Sequence, residues 1–253
     1  MNKKIRIGAV SYLNTKPMML GIKRSGLLDK IELTEDYPAR VAADLQNDRI
    51  DIGLIPVAII PSIPNAQIVS DYCISAEEDV ASVAIFSEVP LQEVKTLLLD
   101  YQSRTSVNLA RILVRDYWKL DLQIEAAGPD FREQIKGTTA AVVIGDRALE
   151  QRLQSPYMYD LATAWNNFTG LPFVFAAWVA NKPIDPDFID GFNRALGYGL
   201  QHIDEVVADL SFEAYNLKTY FTENIQYELN EDKRKAIQLF HEKLKTLSPI
   251  NPA

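Results

Sequence analysis

The sequence predicts an α/β protein of two lobes that meet at a ligand cleft, and three observations carry that prediction. The chain has 253 residues, at the upper end of what one hydrophobic core organises, so two cores fit it better. Short apolar runs alternate with amphipathic ones in a β-α-β-α-β order, which implies parallel strands joined by crossover helices. The alternation restarts further along, after a stretch broken by Pro56, Pro61 and Pro64 and two more strands.

Taken in order, Ile5–Val10 reads as the first strand, Ser11–Pro17 as a polar turn and Met18–Ile22 as the opening of a helix. Ile31–Tyr37 is the second strand, Pro38 opens a helix, and Ile50–Ile55 is the third strand. Gln67–Ile74 and Ala81–Phe86 follow. The second series runs from the strand Thr96–Leu99 to the long amphipathic helix Arg104–Trp118 and the strand Leu122–Ala126. It continues with a short helix at Phe131–Ile135, the strand Ala140–Ile144 and a helix over Asp146–Arg152. The apolar run Pro172–Val179 reads as a strand buried on both faces, and the rest as helix to about Thr246. No repeat, low-complexity segment or Gly/Ser linker separates the series, so strands are expected to join the lobes. The crossings are expected near Ser87–Pro90 and Ala180–Pro183, giving a discontinuous first lobe of residues 1–87 plus 181–253 and a second lobe of residues 88–180. Each lobe is expected to hold a mostly parallel sheet flanked by helices, with ligand bound outside the carboxyl ends of the strands.

Composition narrows the function. An apolar fraction of 47% and a charged fraction of 24% are ordinary globular usage. A formal charge of -8 without any run of Lys and Arg lacks the electrostatic footprint of a nucleic-acid binder. A small anion is still admissible, because helix-start N–H groups supply local positive potential. Cys73 stands alone, which leaves no intrachain disulfide, thiolate metal cluster or CxxC pair. His202 and His241 both fall in the helical C-terminal region, away from every strand end, so neither imidazole acid–base chemistry nor a metal site is expected. Motifs for dinucleotides, P-loops, nucleophile elbows and zincins are absent, and Glu77-Glu78-Asp79 reads as a solvated loop. No apolar stretch reaches the roughly 20 residues of a membrane helix, and nothing at Met1–Lys4 reads as an export signal, so a cytoplasmic protein with no membrane partner is expected.

The informative residues follow strand ends: Ser11 and Asn14, then Ser82, then Ser103, Thr105 and Ser106, then Asp146. Short hydroxyl residues beside free helix-start N–H groups grip a carboxylate, although Ser103 or Thr105 equally suits a plain helix cap. Arg104 and Arg147 flank this set as candidate carboxylate partners. Trp165, Phe168, Phe173 and Phe175 suit either a pocket for a flat ring or the core, and core is expected for Phe173 and Phe175. Core is also expected for the aromatics of Tyr215–Tyr227, and the oligomeric state stays open.

Several strings carry a resemblance. They are Ile7–Pro17 with its Ser-Tyr-Leu-Asn, Ile50–Pro56, Ile74-Ser75 leading to Ala81–Ser87, Ser103–Ser106, Ile144–Asp146 and Phe168–Phe175 with its Thr-Gly-Leu-Pro-Phe-Val-Phe. In this order and spacing the chain resembles, over most of its length, the menaquinone-biosynthesis chorismate dehydratases of the futalosine route, which look like periplasmic binding proteins of type II fold. The resemblance implies conversion of chorismate to 3-enolpyruvylbenzoate by loss of water, with no metal or organic cofactor. It puts Asn14 closest to the chemistry and Ser82, Thr105 and Ser106 on the substrate carboxylates. Ser11, Ser103, Arg104, Asp146, Thr169 and Gly170 complete the expected substrate-binding set. Two positions depart from the family pattern: Val57-Ala-Ile-Ile60 replaces small polar residues, and Ala81 stands where Gly is common. The sister enzyme acting on a cyclic futalosine has a first loop rich in Pro and Cys and fits less well. The competing reading is a non-catalytic cytoplasmic solute-binding or sensor domain for a small carboxylate.

Overall fold

The computed structural model describes residues 4–248. Two sheets organise it. The first contains β1 (Ile5–Val10), β2 (Ile31–Asp36), β3 (Ile52–Pro56) and β4 (Gln67–Ala76), together with β10 (Phe173–Ala180) and β11 (Gln226–Glu228), in the order β11-β4-β10-β3-β1-β2. The second contains β5 (Val83–Ser87), β6 (Thr96–Leu99), β7 (Gln123–Ala126), β8 (Thr139–Ile144) and β9 (Tyr157–Asp160), in the order β7-β6-β8-β5-β9. Helices α1 (Lys16–Arg24) and α2 (Pro38–Gln46) link the early strands of the first sheet, and α3 (Arg104–Ile112), α4 (Asp146–Gln151) and α5 (Leu161–Thr169) belong to the middle of the chain. After β10 come α6 (Pro186–Gln201), α7 (Ile203–Asp209) and the single turn α8 (Leu217–Thr219), then β11 and α9 (Glu231–Leu244).

The chain thus leaves the first sheet once and returns once, but one strand earlier each time than the sequence reading placed it. β5 pairs with β8 and β9, so residues 83–87 join the second sheet, and β10 pairs with β3 and β4, so residues 173–180 join the first. The expectation of mostly parallel sheets also needs correcting. β1 runs parallel to β2 and β3, and β6 runs parallel to β7 and β8, but the remaining pairs are antiparallel. The cause is the crossing itself. Val83 sits opposite Ile144 and Phe173 opposite Ala76, so β5 and β10 each start at the carboxyl end of a neighbour and run away from it. A chain that enters a sheet at the cleft must run outward, against strands whose carboxyl ends point into that cleft.

The inner strands β3 and β5 are buried at every position, which is why they read as unbroken apolar runs. β10 is buried along nearly its whole length, as its apolar run predicts. Trp165 from α5, Phe173 from β10 and Phe240 from α9 meet edge to face, tying the return crossing to the C-terminal helix. The predicted long helix continues past Ile112 as a wider turn over Leu113–Tyr117. The predicted C-terminal helical region is interrupted by β11, which extends the first sheet beside β4. Helices α1 and α6 touch backbone to backbone: a Cβ on Gly199 would fall 1.9 Å from the Pro17 carbonyl oxygen. No larger residue fits that crossing without moving a helix.

Candidate active site

Strand β1 ends at Val10, and the chain turns through Tyr12–Thr15 into α1. The Thr15 hydroxyl closes this turn from beneath, bonding the Val10 carbonyl at 2.5 Å and the Tyr12 carbonyl at 2.7 Å. The main-chain oxygen of Asn14 accepts from the Tyr227 hydroxyl at 3.0 Å, so the turn is pinned by a residue more than 200 positions away in sequence. Asn14 is thereby held without using its own carboxamide in the turn.

On the second sheet the strand ends supply a different set. Ser103 caps α3, accepting from the Ser106 N–H at 3.1 Å and donating to the Ser106 hydroxyl at 2.9 Å. Asp100 is wholly buried and accepts from Arg147, which also donates to the Gln102 side-chain oxygen at 2.9 Å. That same oxygen takes the Tyr12 hydroxyl at 2.5 Å, so a polar chain runs from Asp100 across the gap to the first sheet. Burial holds the Asp100 carboxyl above its ordinary range despite the facing Arg147. Gly145, at φ 66 and ψ -151, lets the Tyr12 ring lie flat against its backbone, where an added Cβ would come within 3.2 Å of the ring.

The outbound crossing reaches Ser82 through Ala81, whose φ of 63 lies in the left-handed region. This is the position where the resembling family commonly has Gly, and the backbone explains that preference. The strained residue is held by a forked bond: the Ala81 N–H donates to Asp79 at 2.9 Å and to Asp160 at 3.1 Å. Burial and the adjoining Asp79 raise Asp160 well above the usual carboxylate range. Asp79 falls below it, because the bond from Asp160 and the nearby Arg152 outweigh its own burial.

These loops enclose a narrow cleft, lined from the first sheet by Val10, Tyr12, Asn14 and Phe175 among others, and from the second by Ser82, Ser103, Ser106 and Gly145. The two sides are in contact. Leu13 N–H donates to Asp146 at 3.1 Å, Ala58 N–H to Thr105 Oγ1 at 3.1 Å, and the Tyr220 hydroxyl to Ser82 Oγ at 2.8 Å. Burial, more than any charge, lifts the Asp146 carboxyl above its ordinary pKa.

Of the residues singled out by sequence, Asn14, Ser82, Ser103 and Ser106 converge on the cleft. Thr105 is buried and spent on Ala58, and Asp146 on Leu13, so both act as cross-cleft contacts. Ser11 and Arg104 are exposed and outside the lining. Thr169 and Gly170 are likewise outside it: the Thr169 hydroxyl bonds the Trp165 carbonyl, and Gly170, at φ 72, terminates α5. Their string is a helix stop ahead of β10, a reading its Thr-Gly spacing permits. Arg147 is occupied by Asp100, which removes it from ligand pairing. Phe173 is core as expected, whereas Phe175, though buried, also lines the cleft. Tyr12, Gly145 and Tyr220 were missed. Tyr12 lies inside the quoted Ser-Tyr-Leu-Asn string and Gly145 inside Ile-Gly-Asp, but nothing in the sequence ties Tyr220 to either. Burial pushes the Cys73 thiol up to about 11, consistent with a plain apolar position. Among the described residues no cluster of three or more His, Cys, Asp or Glu is arranged to hold a metal, and no helix is long and apolar enough to cross a membrane.

Comparison with known proteins shows the fold and the family. The fold is shared with a protein from Archaeoglobus fulgidus at TM-score 0.75 and 13% identity, covering 96% of this chain and 97% of that one. The periplasmic aliphatic sulphonate binding protein of Escherichia coli superposes at TM-score 0.62 and 15% identity, over 98% and 95% of the two chains. A Candida albicans protein described as having the generic periplasmic binding protein fold matches at TM-score 0.61 and 12% identity, over 98% and 92%. In sequence the chain is 27% identical to the chorismate dehydratase of Campylobacter jejuni, over 95% of this chain and 98% of that protein. It is 23% identical to the chorismate dehydratase of Thermus thermophilus, over 94% of each. The profile of the menaquinone biosynthesis family matches residues 5–246, and the chain belongs to that family.

Proposed function

We propose that the chain is a cytoplasmic chorismate dehydratase of menaquinone biosynthesis, forming 3-enolpyruvylbenzoate and water by the futalosine route. The observation that carries this reading is the make-up of the cleft. One carboxamide, Asn14, comes from the first sheet and the hydroxyls of Ser82 and Ser106 from the second, in a lining that among the described residues holds no carboxylate and no imidazole. Such a site suits a dianion that needs orientation more than it needs a protein base.

Chorismate loses the ring proton at its ether-bearing carbon and the hydroxyl on the neighbouring carbon, and the ring becomes aromatic. That gain supplies the driving force, so the protein must hold the diacid and guide one proton. The hydroxyls of Ser82 and Ser106 and the first-turn N–H groups of α3 hold the two carboxylates. Asn14 orients the departing hydroxyl. The lining offers no basic side chain, so a carboxylate of the substrate takes the ring proton and delivers it to the hydroxyl oxygen, which leaves as water. Closure of the cleft excludes solvent and strengthens each of these contacts.

Mixing the protein with chorismate and following the ultraviolet spectrum tests the reading. A new benzoate absorption, with a product lighter than chorismate by one water, is the expected result. Bound but unchanged chorismate would instead favour the solute-binding alternative.

A further inference from the structure

Tyr220 lies in the turn before β11, is fully buried, and does not line the cleft. Its hydroxyl nevertheless reaches a residue that does, donating to Ser82 Oγ at 2.8 Å. We infer that Tyr220 is a positioning residue that fixes the polarity of Ser82, turning its hydroxyl proton toward the ligand. This rests on the dehydratase reading of the same site.

The argument is one of hydrogen-bond direction. A hydroxyl can turn either way, so an unrestrained Ser presents a mixture to a ligand. The phenol is the stronger acid of the two hydroxyls, and it gives its proton to Ser82. Ser82 Oγ then accepts from within the protein and offers its proton to the cleft, which suits a substrate carboxylate. Burial, above all else, pushes the Tyr220 phenol up, so its proton stays in place over the working pH range. The neighbouring Tyr227 is the counterpart: its hydroxyl bonds the main-chain oxygen of Asn14, which supports the turn but gives the carboxamide no direction.

The test measures steady-state kinetics with chorismate for the wild type, Tyr220→Phe, Ser82→Ala, the double variant and Tyr227→Phe, with a thermal melt of each. Tyr220→Phe is expected to lower kcat by about 10-fold to 100-fold with KM changed less than about threefold, since the phenol touches no substrate. Ser82→Ala lowers kcat as well. The double variant is expected to be no worse than the poorer single variant within about twofold, because both changes break one relay. Tyr227→Phe lowers the melting temperature with less than about a threefold effect on kcat. Multiplying losses in the double variant, a wild-type kcat in either single variant, or loss of a cooperative melt in Tyr220→Phe would each overturn the relay. A wild-type protein that leaves chorismate unchanged overturns the dehydratase reading and the relay with it, whereas an active wild type beside a fully active Tyr220→Phe overturns the relay alone.

Discussion

The two polar loops that face each other across the cleft are built in opposite ways. The loop after β6 orients its own hydroxyls: Ser103 caps α3 and donates to the Ser106 hydroxyl, and Asp100, although also tied to Arg147, accepts from the Gln102 N–H two residues on. The loop after β1 depends on distant chain. Asn14 is held by Tyr227, Tyr12 is held by Gln102, and the Leu13 N–H is taken by Asp146. A hydroxyl pair bonded within its own helix start keeps its orientation whether or not the opposing side is near. A loop held by the opposing side and by the C-terminal segment is complete only when all of those parts are together. Under the proposed dehydratase function, closure and assembly are therefore one event on the Asn14 side, whereas the Ser103–Ser106 side is formed beforehand.

Asn14→Ala gives the sharpest separation of the two loops. Turnover is expected to fall by about 10²-fold to 10³-fold, the range seen when one positioned transition-state contact is removed. The melting temperature should stay within about 2 °C of wild type, because the turn is held through main-chain atoms. A large fall in stability with little loss of turnover would make Asn14 a strut and erase the distinction.

A second separation comes from two positive-φ positions that flank Ser82. The Gly145 N–H bonds the Ser82 carbonyl, and Ala81 precedes Ser82 in the chain. Gly145→Ala forces a side chain into a backbone region nearly reserved for glycine and against the Tyr12 ring, at a cost of about 1–3 kcal/mol. It should lower both stability and turnover. Ala81→Gly should do the reverse on a smaller scale, stabilising the protein by no more than about 1 kcal/mol, since relief of left-handed strain is partly offset by chain entropy. Chemical denaturation of both variants checks the signs.

Ser103→Ala removes a helix cap and is expected to cost about 1 kcal/mol of stability. Ser106 keeps its place on α3 but loses the partner that orients it, so KM should rise more than kcat falls. An unchanged denaturation midpoint would mean that the cap contributes nothing and that the second loop is held from outside as well.

This contrast also explains what could be read from the sequence. The strands were legible because buried central strands leave apolar runs, and the self-capped loop was legible because a cap is a local pattern of Ser103 and Ser106. The direction of β5 and β10 was not, since a strand has the same composition whichever way it runs. Assigning Ser87 and Ala180 to the wrong sheets follows from that, because the crossings were sought in loops after strands, while the chain in fact crosses before β5 and before β10. Arg147 looked like a ligand cation because its partner Asp100 is 47 residues away. Thr169 and Gly170 entered the site list through a family string whose local role is to stop α5. Tyr220 has no signal at all, as its partner Ser82 lies 138 positions upstream.

The smallest expected effects concern two aspartates at opposite ends of the sheets. Asp51 lies at the start of β3, away from the cleft. Burial alone would raise its pKa, but Arg6 and Lys182 reverse that and hold it well below the ordinary value. A depressed carboxylate contributes stability above its unfolded pKa of about 3.9 and loses that contribution as pH falls. Asp146, at the cleft, is shifted the other way by burial. The folded state holds its proton more tightly than the unfolded chain does, so its contribution is present at low pH and is lost as pH rises through the raised value. Asp51→Asn should therefore lower the melting temperature at pH 7 and converge on wild type in acid. Asp146→Asn removes an unfavourable charge and keeps an oxygen for the Leu13 N–H, so it should raise the melting temperature slightly at pH 7 and also converge on wild type in acid. Both changes are expected to stay within about 1 kcal/mol, because Arg6 and Lys182 remain partly open to solvent once Asp51 is neutralised and Asp146→Asn keeps the Leu13 bond. Melting curves from pH 3 to about pH 8 that show the two variants on the same side of wild type would mean that the Asp146 bond across the cleft outweighs its burial, and that the cleft is locked by charge and not only by packing.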